Sequence, residues 1–246
     1  MKIFYDVDTQ NDFMNKDTQN GLIEKGALYV PEAESIKPNL KKLTDFARKN
    51  NIPVIGSVDR HFGTEEYKGR ELELQRWDGP FPDHCMYETR GERKIDETIA
   101  NIGVERNPES VSRYCDMGEY IKNELNNKIN KRRINSLVNG LKYDLKRNSH
   151  FVIRGIYFEK QSYDVFTNPA FAVFLDLMKV KEAVIYGVAT DYCVKAAVLG
   201  MQKKGIQCYV VEDAIKGVNQ KTTQEALEEM VNAEAKFVTT EEILRS

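Results

Sequence analysis

Hydrophobic positions along the chain fall into two alternating kinds of run. Short, nearly continuous apolar stretches recur at Ile3-Phe4-Tyr5-Asp6-Val7, Pro53-Val54-Ile55-Gly56-Ser57-Val58, Phe151-Val152-Ile153 with the residues near it, Ala183-Val184-Ile185-Tyr186-Gly187, Gln207-Cys208-Tyr209-Val210-Val211 and Lys236-Phe237-Val238. Their length and β-branched content suit strands buried on both faces. Between them the apolar period changes. Ile36, Leu40, Leu43 and Phe46-Ala47 predict a helix over Pro31–Asn50, and helical spacing returns over Pro169–Met178, Tyr192–Lys204 and Lys221–Asn232. Strands alternating with helices predict an α/β fold: a mostly parallel sheet, covered on both faces, with right-handed crossovers.

One segment departs from this rhythm. Residues of roughly 105–148 are polar, with Lys131-Arg132-Arg133 in the middle and a narrow apolar stripe of Ile121, Leu125, Ile129, Leu137, Leu141 and Leu145. The spacing predicts a helical insertion of two or so helices within one domain spanning 1–246. Such a stripe is too narrow to form a core alone, so it must pack on the domain edge or on a neighbouring subunit. An insertion between the second and third strands emerges at the sheet rim, where it would serve as a lid or as an oligomer contact. The basic triplet reads as a solvated helix face.

Composition narrows the class. The chain has 246 residues, 41% hydrophobic and 30% charged, enough apolar material for a real core. Lys+Arg 36 against Asp+Glu 38 leaves a formal charge of -2, so there is no whole-protein field for nucleic acid or an anionic membrane. Neither a membrane span nor a signal core is expected. Four spread cysteines, Cys85, Cys115, Cys193 and Cys208, suit a reducing cytoplasm rather than a disulfide scaffold. Three histidines, His61, His84 and His150, are the whole supply of imidazole.

In a doubly wound sheet, ligands bind outside the carboxyl ends of the strands. Asp8 follows the first strand, Asp59 and His61 the second, Lys160 the third, and Cys193 opens the helix after the fourth. A cysteine in the first turn of a helix meets free N–H groups and the positive end of the helix dipole, which favour a thiolate and could hold an oxyanion. The same pattern also serves a buried structural cysteine, the natural reading for Cys85, Cys115 and Cys208. Asp8, desolvated at a strand end, suits a general base; Lys160 would hold carboxylate and thiolate, or be an ordinary surface lysine. Asp59-Arg60-His61 with His84 offers one carboxylate and two imidazoles, a ligand set for a borderline divalent ion such as Zn²⁺, or else a polar loop. Glu65, Glu66, Glu71 or Glu73 could add an oxygen.

These residues carry a resemblance. Asp8-Thr9-Gln10-Asn11-Asp12-Phe13 resembles the D-x-Q-x-D-F opening of the isochorismatase-like cysteine hydrolases. Gly187-Val188-Ala189-Thr190-Asp191-Tyr192-Cys193-Val194-Lys195-Ala196 resembles their nucleophile motif in the form typical of the nicotinamidase (pyrazinamidase) branch, and Asp213 with Gly217-Val218-Asn219 is similar to that branch as well. The resemblance covers most of residues 1–104 and 149–246. It implies a three-layer α/β/α sandwich around a six-stranded parallel, doubly wound sheet. It implies a triad of Cys193, Asp8 and Lys160, the lysine preceding Ser162-Tyr163-Asp164-Val165-Phe166. It implies a cis peptide at Val188-Ala189 that aims the Ala189 and Cys193 N–H groups at an oxyanion. The branch's metal ligands map onto Asp59, His61 and His84, with zinc the expected ion. Departures lie around them: Asp59-Arg60-His61-Phe62 replaces D-W-H-P, Phe81 replaces a tryptophan in Phe81-Pro82-Asp83-His84-Cys85, and the gap from His61 to His84 is long. Phe13 would be one pocket wall, and Trp77 or Phe81 another.

The function so implied is metal-dependent hydrolysis of nicotinamide, or a close aromatic amide, to the acid and ammonia through a thioester on Cys193. This would place a cytoplasmic homo-oligomer in NAD salvage, with a small-molecule amide substrate and no nucleotide or organic cofactor. The rival readings are a cysteine hydrolase of another small amide or carbamoyl compound, and a non-catalytic ligand-binding protein.

Overall fold

The described apolar runs become strands of a single sheet. The computed structural model describes residues 1–16, 25–99, 119–121, 131–147 and 156–246. Its strands are β1 (Lys2–Val7), β2 (Val54–Asp59), β3 (Glu119–Ile121), β4 (Ile156–Lys160), β5 (Glu182–Val188), β6 (Gln207–Lys216) and β7 (Lys236–Val238). They pair in the order β3-β4-β2-β1-β5-β6-β7, every pair parallel. The six expected strands are present, and β3 adds a seventh at one edge. The third expected strand lies at Ile156–Lys160; Phe151-Val152-Ile153 falls outside the described residues.

Side chains alternate across the pleat, and two buried clusters follow. Ile3, Tyr5, Val7, Ile55 and Phe158 face one layer, made of α3 (Lys131–Arg147), α4 (Pro169–Met178), α5 (Lys195–Lys203) and α6 (Gln220–Asn232). Phe4, Val54, Val184 and Tyr186 face the other, where α2 (Lys37–Lys49) and α7 (Thr240–Leu244) pack, with the short α1 (Asn11–Met14) beside them. The predicted helix over Pro31–Asn50 is α2, preceded by a tight turn at Ala33–Ile36. No helix among the described residues is long and apolar enough to cross a membrane.

The 105–148 segment differs from its expectation. Its described part is a strand and one helix rather than helices alone. α3 joins the main core through Ile134, Val138 and Leu141, at 2%, 2% and 6% exposure, with Leu137 packed against them. Over the described helix the buried positions are 134, 138 and 141. Ile121 belongs instead to β3, and Leu125 and Ile129 lie outside the described residues. Ile134→Ala should therefore destabilise the protein by about 2–5 kcal/mol in urea unfolding. A loss under about 1 kcal/mol would show α3 to be peripheral.

Strand order reverses across β1. Both β2 and β5 flank it, so the loops after β1 and β5 diverge and leave a crevice at the carboxyl rim. Register brings the reactive residues to that rim: Asp59 pairs with Lys160, and Val7, just before Asp8, pairs with Ser57 and Gly187. Gly187 has φ of 120°, and a Cβ there would stand 2.1 Å from the Val7 carbonyl oxygen. Close approach of β1 to β5 thus requires glycine.

Candidate active site

Asp8, Lys160 and Cys193 come together. Asp8 leaves β1 with a left-handed φ of 46°. Lys160 is the last residue of β4, fully buried rather than beyond the strand. Its ammonium lies 2.9 Å from Asp8 Oδ2 and 3.5 Å from Cys193 Sγ, and it also pairs with Asp59. A carboxylate oxygen of Asp8 lies within 4.8 Å of that sulfur.

Cys193 sits in a single π-helical turn, Thr190–Val194, that leads into α5. Such turns concentrate at functional sites. The Ala189 carbonyl accepts from the Tyr192 and Val194 N–H groups, both at 3.1 Å. The Val188-Ala189 bond is cis. Asp191 anchors the turn from below: its carboxylate accepts from the Val218 and Asn219 N–H groups at 2.9 and 3.2 Å and from Thr222 Oγ1 at 2.6 Å. The Gly217-Val218-Asn219 motif is therefore the seat of the Cys193 turn. Asp213 works at a distance, accepting from Thr240 N and Oγ1 at 2.8 Å to hold α7.

Electrostatics in the cluster follow from burial. Desolvation raises the Asp8 carboxyl above its ordinary range, against the pull of Lys160. Burial works the same way on Asp59, but Lys160 and the two histidines override it and hold that carboxyl well below the usual range. Burial opposes charge on Lys160, yet Asp59 and Asp8 keep it ammonium. The Cys193 thiol is pushed up by burial, with Lys160 only partly offsetting. Burial at this site thus works against the thiolate that a helix start favours.

The second group adjoins the first through Asp59. Donor atoms of Asp59, His61, Glu73 and His84 all lie within 4.8 Å of one another. Asp59 Oδ2 is 3.7 Å from His84 Nε2, and Glu73 Oε1 is 3.5 Å from His61 Nε2. Both His61 ring nitrogens are buried without a hydrogen-bond partner among the described residues, a state that normally needs an explanation. His84 Nδ1 stands 2.7 Å from the Pro82 carbonyl oxygen and donates to it, so Nε2 faces the cluster with its lone pair. Burial disfavours a charged His84, but the hydrogen bond and charge of Asp59 override it and raise its pKa, so a proton and a cation compete for the same nitrogen. The donors therefore fit a divalent ion, as two imidazoles and two carboxylates suit borderline metals. Among the candidate glutamates the geometry selects Glu73; Glu71 accepts from the Phe62 and Gly63 N–H groups at 2.6 and 2.9 Å and shapes the loop.

Sequence reasoning missed Gln10. Its amide clamps Asp59 from both sides: Gln10 Nε2 donates to the Asp59 carbonyl and the Asp59 N–H donates to Gln10 Oε1, each at 2.7 Å. The glutamine of the opening motif was visible, but not the strand it would grip. The aromatic residues expected to wall the pocket lie as follows. Phe13 and Phe81 lie 5.5 and 6.4 Å from the His84 ring, centroid to centroid. Tyr192 packs edge-on to Phe81 at 5.6 Å. Trp77 lies under the Lys68 ammonium, 4.9 Å away. Arg60, in the tryptophan position, turns to Glu92 and Glu159 at 2.8 and 3.3 Å. Cys85 and Cys208 are buried, Cys208 with its thiol pushed up to about 12 by burial; Cys115 and His150 fall outside the described residues.

Comparison with known proteins agrees with this architecture. The Isochorismatase domain family model matches residues 141–242. A curated relative, the nicotinamidase of Escherichia coli (strain K12), is 24% identical over 223 residues, covering 82% of this chain and 81% of that protein. Two solved structures share the fold: a zinc complex of the pyrazinamidase of Pyrococcus horikoshii (TM-score 0.63, 22% identity, 97% of this chain and 98% of that one) and the N-carbamoylsarcosine amidase of Thermoplasma acidophilum (TM-score 0.60, 16% identity, 97% and 96%).

Proposed function

We propose that this isochorismatase-like hydrolase is a metal-dependent cysteine amidohydrolase, converting nicotinamide or a close aromatic amide to the acid and ammonia. The observation that carries the reading is the shared edge of the two groups. Lys160 touches Asp8 and Cys193 on one side and Asp59 on the other, so a nucleophile and a metal-donor set stand within one side chain's reach. Bound there, a divalent ion supplies a Lewis-acidic contact for a ring nitrogen of the amide.

The chain's own residues do the rest. Asp8 takes the Cys193 thiol proton, and the sulfur attacks the carboxamide carbon. Lys160 steadies the negative charge of both partners, and the Ala189 and Cys193 N–H groups face the oxyanion. The C–N bond breaks as Asp8 returns its proton to the leaving nitrogen, releasing ammonia and leaving a thioester. Asp8 then takes a proton from water, whose oxygen attacks the thioester carbon; the C–S bond breaks, and the proton returns to sulfur. Phe13, Phe81 and Tyr192 flank the ring.

Ammonia release from an amide panel, with and without chelator, tests the reading. Nicotinamide or pyrazinamide turnover that chelator removes supports it. Turnover confined to carbamoyl compounds would assign the other substrate class, and none at all would leave a binding protein. The pH profile follows from Asp8. The base must be ionised, and burial raises its pKa, so kcat/KM should fall on the acid side at a pH above the ordinary aspartate value of about 3.9. A profile flat down to about pH 4 would contradict Asp8 as the base.

A further inference from the structure

β1 carries a second buried Asp–Lys pair that the reaction does not use. Lys94 Nζ lies 2.8 Å from Asp6 Oδ2, and both side chains are fully buried. The same ammonium donates to Thr9 Oγ1 at 2.8 Å, and that hydroxyl donates to Asp6 Oδ1 at 2.8 Å. Thr98 Oγ1 lies 2.6 Å from Thr9 Oγ1, and the Tyr157 ring lies 4.7 Å from the ammonium. A buried ion pair of this kind is weak grounds for stability, because desolvation consumes most of its attraction. Its placement points to another role. Asp6 and Thr9 bracket Asp8, a non-glycine residue in the left-handed region, where the backbone relaxes unless its surroundings hold it. The same stretch is zipped to the Lys94 loop: the Ile95 N–H donates to the Thr9 carbonyl at 2.9 Å, and Gln10 bridges to Lys94 as an antiparallel pair.

We infer that Lys94 is a positioning residue for the base: by tying together the side chains on either side of Asp8, it holds that carboxylate against Cys193 and Lys160. The inference rests on the proposed reaction for its role, but on the Asp8–Cys193 geometry for its substance.

Lys94→Met alone strands a buried Asp6 carboxylate and can unfold the protein, so the main test is the paired variant Asp6→Leu/Lys94→Met. Thr9→Val, which keeps the ion pair and the side-chain shape, is the second. Three quantities are read: kcat and KM for nicotinamide, the rate of Cys193 alkylation by iodoacetamide at neutral pH, and zinc content. In the folded paired variant kcat should fall about a hundredfold, with KM and zinc content close to wild type, the usual cost of a misplaced catalytic group. Alkylation should slow about tenfold, because the buried thiol loses its proton acceptor. Thr9→Val should shift both in the same direction by less. If wild type turns over no amide, the functional reading fails and alkylation alone decides this inference. Wild-type alkylation in every folded variant overturns it.

Discussion

Cys193→Ala should reduce amide turnover by about 10⁴-fold or more, the scale on which removal of a covalent nucleophile acts. The fold should survive. Cys193 packs in the core beside Val194, but its side chain is small, and Asp8 and Lys160 keep each other as partners when the sulfur goes. The variant should therefore unfold at close to the wild-type temperature and retain its zinc. Alkylation mapping on wild type should label Cys193 ahead of Cys85 and Cys208, which are 0% exposed where Cys193 is 8% exposed and lies beside Asp8. Activity within about tenfold of wild type, or acyl label on Cys85 or Cys208, would remove Cys193 from the reaction.

The second large effect is at the metal donors. His84→Ala takes one imidazole from a set of four donors and leaves Asp59, His61 and Glu73. Zinc affinity should fall about a hundredfold or more, and turnover should fall with it; even an outer-shell partner is worth about 10–100-fold. Cys193 alkylation should stay near the wild-type rate, since Asp8 and Lys160 remain in place. That separation distinguishes loss of the ion from collapse of the site. Elemental analysis showing full zinc occupancy in His84→Ala would contradict the assignment.

Local patterns carried most of the architecture. β1, β2, β5 and β6 are long enough and apolar enough to be read directly, and their ends led to Asp8, Asp59 and the Cys193 turn. β3 could not be read that way. Glu-Tyr-Ile is three residues long and lies on the sheet edge, so it has no two-sided apolar signature. The stripe expected of the insertion holds at Leu137 and Leu141, but Ile134 and Val138 complete the buried face of α3 and Ile121 belongs to β3. The thiol's surroundings are only half legible in the sequence: a helix start is a local cue, whereas the desolvation that opposes it is tertiary. Glu73 is one of four candidate glutamates until the fold selects it, and Gln10 and Lys94 pair with distant segments, Gln10 with Asp59 and Lys94 with Asp6, partners that the spacing of the chain does not announce.

The proposed reaction passes the acyl group of the amide to one sulfur, that of Cys193. Wild-type protein mixed with nicotinamide, quenched in acid within the first turnovers and digested, should show the mass of one nicotinoyl group on the peptide that contains Cys193. The adduct should be absent from Asp8→Asn, which lacks the proton acceptor. An acyl group on another residue, or full ammonia release with no acyl peptide at any quench time and an active Cys193→Ala, would contradict the account.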